Sequence, residues 1–305
     1  MSQGAPPSAQ WPPYLDPKRL DTLLRLWLEE DLGTGDVTTE ATVPPKQQAQ
    51  GLLLAKAAGV LAGLQVAERV FHLVDPELHV VWLQKEGDWV AAGTCLGHIT
   101  GRARSLLIAE RLALNLLQRM SGIATATRRL VERVRPYGTQ VLDTRKTAPG
   151  LRLLDKWAVR IGGGINHRLG LYDMMLIKDN HIVAAGGIRA AIEAAHRYRE
   201  RHPCSLLIEI EARSLEDVET ILSVGGVDWV LLDNLTRQLP DGSLDVTLLR
   251  EAVNRIGGRF RTEASGNITL ETAEAVAATG VDAISCGALT HSVQALDLSF
   301  NLTLL

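Results

Sequence analysis

A chain of 305 residues suits one large domain or two ordinary ones, and a hydrophobic content of 46% supplies a full core. The formal net charge of -3 excludes a generally basic nucleic-acid binder, so any positive patch must be local. Cys95, Cys204 and Cys286 are odd in number and far apart, which argues against a disulfide framework or a zinc site and fits a reducing cytoplasm.

The first fifteen residues, MSQGAPPSAQWPPYL, hold four prolines and no continuous apolar block. They read as neither a signal peptide nor a membrane span, and an unstructured tail is expected over residues 1–14. Next, Leu20, Leu23, Leu24, Trp27 and Leu28 fall at helical spacing, with Gly33 as a stop. The runs QGLLLAKAAGVLAG and LHVVWLQ predict strands on either side of a helix-like GLQVAERVFHLVD, and EGDWVAAGTCLGHITG adds turn glycines between short apolar pieces. This part reads as a small α+β domain. From Ser105 to Arg133 apolar residues recur at three and four spacing without proline, and Gly122 predicts a break between two helices that bridge the halves.

The second half alternates short apolar runs with helical patterns, which predicts a parallel sheet. The runs end at Lys146, Lys178, Glu211, Asp233, Ser265 and Gly287, at intervals of 22 to 33 residues that each admit one crossover helix. Six units are legible and a seventh is not. An open doubly wound sheet would fit the spacing too. The polar groups at nearly every carboxyl end favour a barrel with one working rim instead. Arg145 and Lys146 close the first strand, and GGGINHRLGLYDMMLIKDNH adds His167, Arg168 and Lys178. Such a rim expects an anionic ligand, with guanidinium forks suited to carboxylate or phosphate. Glu211 and Asp233 bring the opposite sign, suited to sugar hydroxyls or to Mg²⁺ carried by substrate phosphates. The turns Ser265-Gly266-Asn267 and Ser285-Cys286-Gly287 resemble the barrel phosphate site built from backbone N–H groups. Each feature also has a plainer reading. Glu211 and Asp233 would serve equally as structural partners of nearby lysines, His167 alone suits a structural hydrogen bond, and Cys286 suits inert packing.

Taken together, EDLGTGDVTTE (30–40), ERLALNLLQRMSGIAT (110–125), DTRKTAPGLRLLDKWAVRIGGGINHR (143–168), LIKDNHI (176–182), IEIEA (208–212), VLLDN (230–234), EASGNI (263–268) and SCGALTHS (285–292) resemble the quinolinate phosphoribosyltransferase family, also called nicotinate-nucleotide pyrophosphorylase (carboxylating). The resemblance runs from about residue 20 to the C-terminus. It implies an N-terminal α/β sandwich domain over residues 15–121 and an open, TIM-like parallel α/β barrel of about seven strands over 122–290. Residues 291–305 are expected to return towards the first domain. It also implies transfer of phosphoribosyl from phosphoribosyl pyrophosphate to quinolinate with Mg²⁺, giving nicotinate mononucleotide, pyrophosphate and CO₂ on the route to NAD. A homodimer with shared sites follows from the same likeness, Arg111 reaching the partner's quinolinate beside Arg145, Lys146, His167, Arg168 and Lys178. Lys146, Glu211 and Asp233 carry the expected catalytic roles, the two acids lying near the ribose and, through water, the metal.

Two positions depart from the family pattern. Asn267 stands where a second glycine is expected, and Cys286 where methionine is. The alternatives weighed are a homologous pyrophosphorylase of altered substrate and a non-catalytic barrel that binds phosphorylated metabolites. A biotinyl-like carrier hairpin at KEGDWVAAGTCLGHI is disfavoured because no lysine sits at its turn.

Overall fold

The computed structural model describes residues 11–202 and 206–305. Two compact units emerge, one made of residues 11–128, 149–163 and 292–305, the other of 129–148 and 164–291. Cys204 and residues 1–10 lie outside the described residues.

The first unit opens with a helix, Pro17–Leu32, whose start is set by chemistry legible in DPKR. The Asp16 carboxylate accepts the amides of Lys18 and Arg19, Pro17 needs no amide partner at the first turn, and Leu20, Leu24 and Leu28 form the buried stripe. Strands β1 (Gln48–Ala55), β2 (Gly59–Val60), β3 (His79–Trp82), β4 (Trp89–Val90) and β5 (Cys95–Arg102) follow, with a helix at Leu64–Val74 between β2 and β3. The tail expectation is corrected at its described end. Trp11 donates its indole N–H to the carbonyl of Leu15 and packs edge-on against Trp157, so residues 11–14 are ordered.

The helix Ala103–Val134 runs for 32 residues without a break. The expected interruption at Gly122 is therefore wrong, and the glycine has another purpose. A Cβ there would stand 2.1 Å from the carbonyl oxygen of Gln294 and 2.9 Å from Cα of Ala295, so its absence lets the C-terminal segment lie against the helix. Residues 149–163 were expected within the barrel. Instead, the helix Arg152–Ile161 turns Leu154, Trp157, Ala158 and Ile161 into the core of the first unit, and Asp155 receives a bidentate contact from Arg119 at 2.8 and 2.9 Å.

In the second unit, β6 (Gln140–Leu142), β7 (Met175–Ile177), β8 (Ile208–Ala212), β9 (Trp229–Asp233), β12 (Arg261–Ser265) and β13 (Ala283–Ser285) form one parallel sheet ordered β6-β13-β12-β9-β8-β7. A small hairpin, β10 (Arg237–Gln238) with β11 (Leu244–Asp245), interrupts the repeat. The first strand thus closes on the last. The illegible seventh contribution is a single parallel bridge between Leu142 and Ile165 on the free side of β6. It escaped reading because one paired residue after three glycines leaves no β-branched run. Among the described residues no hydrogen-bonded ladder joins this bridge to β7, and the barrel is open there.

The period of two divides each strand between two environments. Ile208, Ile210, Ala212, Val230, Leu232, Ala264 and Ile284 belong to the apolar core with helices 188–201, 215–224 and 247–256. Glu209, Glu211, Leu231 and Glu263 occupy the alternate positions. The last strand, β14 (Leu298–Leu304), belongs to the first unit and pairs antiparallel with β1, whose Gly51 leaves room for the Phe300 ring.

Gly122→Ala is expected to lower stability by about 1–3 kcal/mol through overpacking against the carbonyl of Gln294, read as a fall in melting temperature. An unchanged melting temperature would mean the C-terminal segment does not pack there.

Candidate active site

The site is built where strands emerge from the barrel. Asp143, the first residue beyond β6, is fully buried and accepts the Asn166 side-chain amide at 2.6 Å and the His167 backbone amide at 2.9 Å. This carboxylate ties the 165–168 loop to the end of β6. It fixes His167 and Arg168 beside Arg145 and Lys146. The carbonyl of Lys146 accepts the Thr290 hydroxyl at 2.8 Å, and Gly287 keeps space for the lysine stem, since a Cβ there would stand 3.0 Å from Lys146 Cδ.

Arg145, Lys146, His167, Arg168 and Lys178 line one cavity of about 310 Å³, together with Thr144, Leu176, Leu231, Glu263, Ser265 and Ser285. Five of the sequence-predicted ligand-binding residues thus converge. The Arg168 guanidinium donates to the carbonyl of Met174 at 3.1 Å, while burial and then the neighbouring charge of Arg145 lower its hold on its proton. Two guanidiniums that repel one another in a half-buried place favour an anion between them. A larger opening of about 470 Å³ on the first unit lacks this character, because Arg69 and Asp21 on its wall already pair with each other.

Beneath the cations lies a cluster that sequence reading did not assign to the site. Nε2 of His167 is 2.8 Å from Glu209 Oε2 and 3.4 Å from Glu263 Oε2, and both carboxylates are almost entirely buried. Burial alone would lower the proton affinity of the ring. The hydrogen bonds and charges of Glu209 and Glu263 outweigh it and push the imidazole up to about 10. At the other nitrogen, the Arg168 amide donates to Nδ1 at 2.8 Å and opposes a second proton there. The pattern assigns the first proton to Nε2, between the carboxylates. Burial, then the charge of Glu263, pushes the Glu209 carboxyl up to about 7. The signal available in the sequence was IEIEA itself, since two acids alternating with isoleucine in a buried strand are expensive without a task.

Glu211 and Asp233 are not among the residues that line the cavity, but they adjoin it. Glu211 Oε2 lies 3.6 Å from Lys178 Nζ, and Asp233 sits opposite Ser265 in the β9–β12 register. Burial first raises the Glu211 carboxyl; Lys178 opposes this and Asp233 adds to it. This paired negative charge is chemically suited to Mg²⁺ arriving on substrate phosphates. The inner cluster of His167, Glu209 and Glu263 resembles a metal donor set by residue type. It does not fit a metal as arranged, because Nε2 carries the shared proton and Nδ1 accepts an amide, leaving the imidazole no free lone pair.

The two turns fare differently. Ser265 and Ser285 reach the cavity. Gly266, at φ 98°, is required because a Cβ would stand 2.1 Å from Asn234 Oδ1, and Asn267 holds the left-handed conformation at φ 54° that its glycine-like position demands. Cys286 is corrected as a phosphate donor. Its amide is spent on the carbonyl of Leu142 at 3.1 Å, its thiol on that of Ile268 at 3.3 Å, and burial holds the thiol protonated. Arg111 lies on the long helix of the first unit, well exposed and 3.6 Å from Glu110, and is not part of this cavity.

Known proteins match this chain over nearly its whole length. Residues 36–121 match "Quinolinate phosphoribosyl transferase, N-terminal domain" and residues 123–301 its C-terminal domain. A protein of Arabidopsis thaliana named "Nicotinate-nucleotide pyrophosphorylase [carboxylating], chloroplastic" is 47% identical over 297 residues, 95% of this chain and 85% of that one. "Quinolinate phosphoribosyltransferase [decarboxylating] 2b, mitochondrial" of Nicotiana tabacum is likewise 47% identical, over 95% and 84% of the two chains. Among solved structures, NadC from Streptococcus pyogenes superposes with a TM-score of 0.86 at 42% identity, covering 95% of this chain and 99% of its own. The chain belongs to the quinolinate phosphoribosyltransferase family.

Proposed function

We propose that this protein transfers phosphoribosyl from phosphoribosyl pyrophosphate to quinolinate and removes one carboxylate, giving nicotinate mononucleotide, pyrophosphate and CO₂ for NAD biosynthesis. The observation that carries the reading is the convergence of Arg145, Lys146, His167, Arg168 and Lys178 on one cavity, with an acid pair at its edge. Quinolinate brings two adjacent carboxylates and its co-substrate several phosphate charges, so these cations hold and align both reactants. The pyridine nitrogen attacks the ribose anomeric carbon as pyrophosphate departs. Glu211 and Asp233 favour the positive charge that develops on the sugar. Ser265 and Ser285 offer hydroxyls to the phosphates. No side chain acts as a covalent nucleophile in this scheme. Mg²⁺, held through water by Glu211 and Asp233, would screen the charge of the pyrophosphate. Once ribosylated, the ring nitrogen is the electron sink for loss of the carboxylate beside it.

The exposed Arg111 supports a homodimer in which one protomer completes the other's site. No helix among the described residues is long and apolar enough to cross a membrane, and Cys95 and Cys286 are free thiols. A cytoplasmic location suits both.

Incubation with quinolinate, phosphoribosyl pyrophosphate and Mg²⁺ should yield nicotinate mononucleotide and CO₂ together, while nicotinate in a parallel reaction should not turn over. Turnover of nicotinate alone would favour the altered-substrate homologue. Absence of both reactions in folded protein would favour the non-catalytic barrel. Lys146→Ala should lower kcat/KM by about 100-fold or more, and the double variant Glu211→Gln, Asp233→Asn should depress kcat similarly with little change in quinolinate affinity. Arg111→Ala and Lys146→Ala, each inactive alone, should recover part of the activity when mixed and allowed to exchange subunits. Persistent inactivity after demonstrated exchange would contradict a shared site.

A further inference from the structure

The ligating oxygens of Glu209 and Glu263 and a ring nitrogen of His167 lie within 4.8 Å of one another. Neither carboxylate has appreciable contact with solvent, and Glu209 Oε1 has no hydrogen-bond partner among the described residues. Two carboxylates this close in a dry place do not both ionise freely, and a shared proton is the economical solution. The near-neutral affinity of Glu209, raised by burial and then by the charge of Glu263, agrees with that account. The geometry also gives the proton a direction. Glu263 and His167 form part of the cavity wall, whereas Glu209 stands behind them.

The reading above leaves a chemical debt that no cation at the rim settles. When CO₂ leaves the ribosylated ring, the carbon–carboxylate bond breaks and its electron pair stays on the carbon beside the positive nitrogen. That carbon must gain a proton to become the product. Lys178 is committed to Glu211, and the remaining cations are those that hold the anions. We propose, resting on the decarboxylating reaction above, that Glu263, with His167 and Glu209 behind it, delivers this proton to the carbon that has lost CO₂. In the step, the proton that Glu263 shares with Glu209 leaves the Glu263 oxygen, a C–H bond forms on the carbon, and both acids are left as carboxylates. Nε2–H of His167, which touches both acids, holds the two carboxylates, and solvent returns the shared proton once product has left. Asp143 and the Arg168 amide act as positioning groups, since together they keep Nε2 facing the carboxylates.

The test is a single-turnover reaction of the full protein with quinolinate, phosphoribosyl pyrophosphate and Mg²⁺, following pyrophosphate and CO₂ separately. In the wild type at neutral pH the two should appear together. In Glu263→Gln, CO₂ should lag behind pyrophosphate by about 100-fold, and the nucleotide retaining both carboxylates should accumulate. Glu263→Asp, which keeps an acid, should recover part of the coupling. Coincident release in Glu263→Gln, whatever the common rate, would overturn the proposal. Should that variant fail to fold, Glu209→Gln decides the matter. It leaves Glu263 no acid with which to share a proton, so CO₂ release should fall behind pyrophosphate there too, whereas coincident release would overturn the proposal. Failure of the wild type to release pyrophosphate at all would instead overturn the reaction assigned to the protein.

Discussion

The proton on Nε2 of His167 is the point on which the site depends. Glu209 and Glu263 lie on different strands and face one interior, and their mutual repulsion in so dry a place would strain the barrel without something between them. The imidazole supplies it. Asp143 in turn holds the loop that carries the imidazole, and the same loop carries Arg168. A buried carboxylate at the end of the first strand therefore positions both the proton of the interior and one of the cations of the rim.

Above this interior the rim gathers four cations on one cavity. Burial and then the charge of Arg145 lower the hold of Arg168 on its proton, and Lys146 and Lys178 reach the same cavity. Lys178 has the Glu211 carboxylate close by, at 3.6 Å. Such a site is held ready for anions by the fold and need not reorganise when they arrive, which is the property that electrostatic catalysis requires. The interior acids and the rim cations divide the reaction between them. In the proposed reaction the rim would align two anions, and the interior would hold a proton for the carbon that loses CO₂.

The strand ends were legible because each unit repeats one physical demand, an apolar run that closes in a polar group at the working rim. Arg145, Lys146, His167, Arg168 and Lys178 came from that pattern, and the structure gathers them in one cavity. Glu209 was passed over because it sits two residues upstream of its strand end, and Glu263, though read as one of the polar groups at the rim, was given no role, since the same alternation places an apolar residue, Leu231, at the matching position of the neighbouring strand. Their partnership depends on strand order, which joins β8 to β12 only through β9. Gly122 was misread because a glycine inside a helical pattern looks the same whether it breaks the helix or admits a neighbour. The helix 152–161 lies between two barrel segments in sequence, and only its packed face reveals that it serves the other core. Cys286 could be excluded as a donor only when its hydrogen bonds were known.

The most direct test of the central claim is the ¹⁵N NMR spectrum of histidine-labelled protein, with the His167 ring assigned by substitution, recorded from pH 6 to 9. The account predicts that Nε2 stays protonated across the whole range, held by Glu209 and Glu263. Loss of that proton near the ordinary histidine value of about 6.5, or a ring that exchanges between both tautomers, would contradict it.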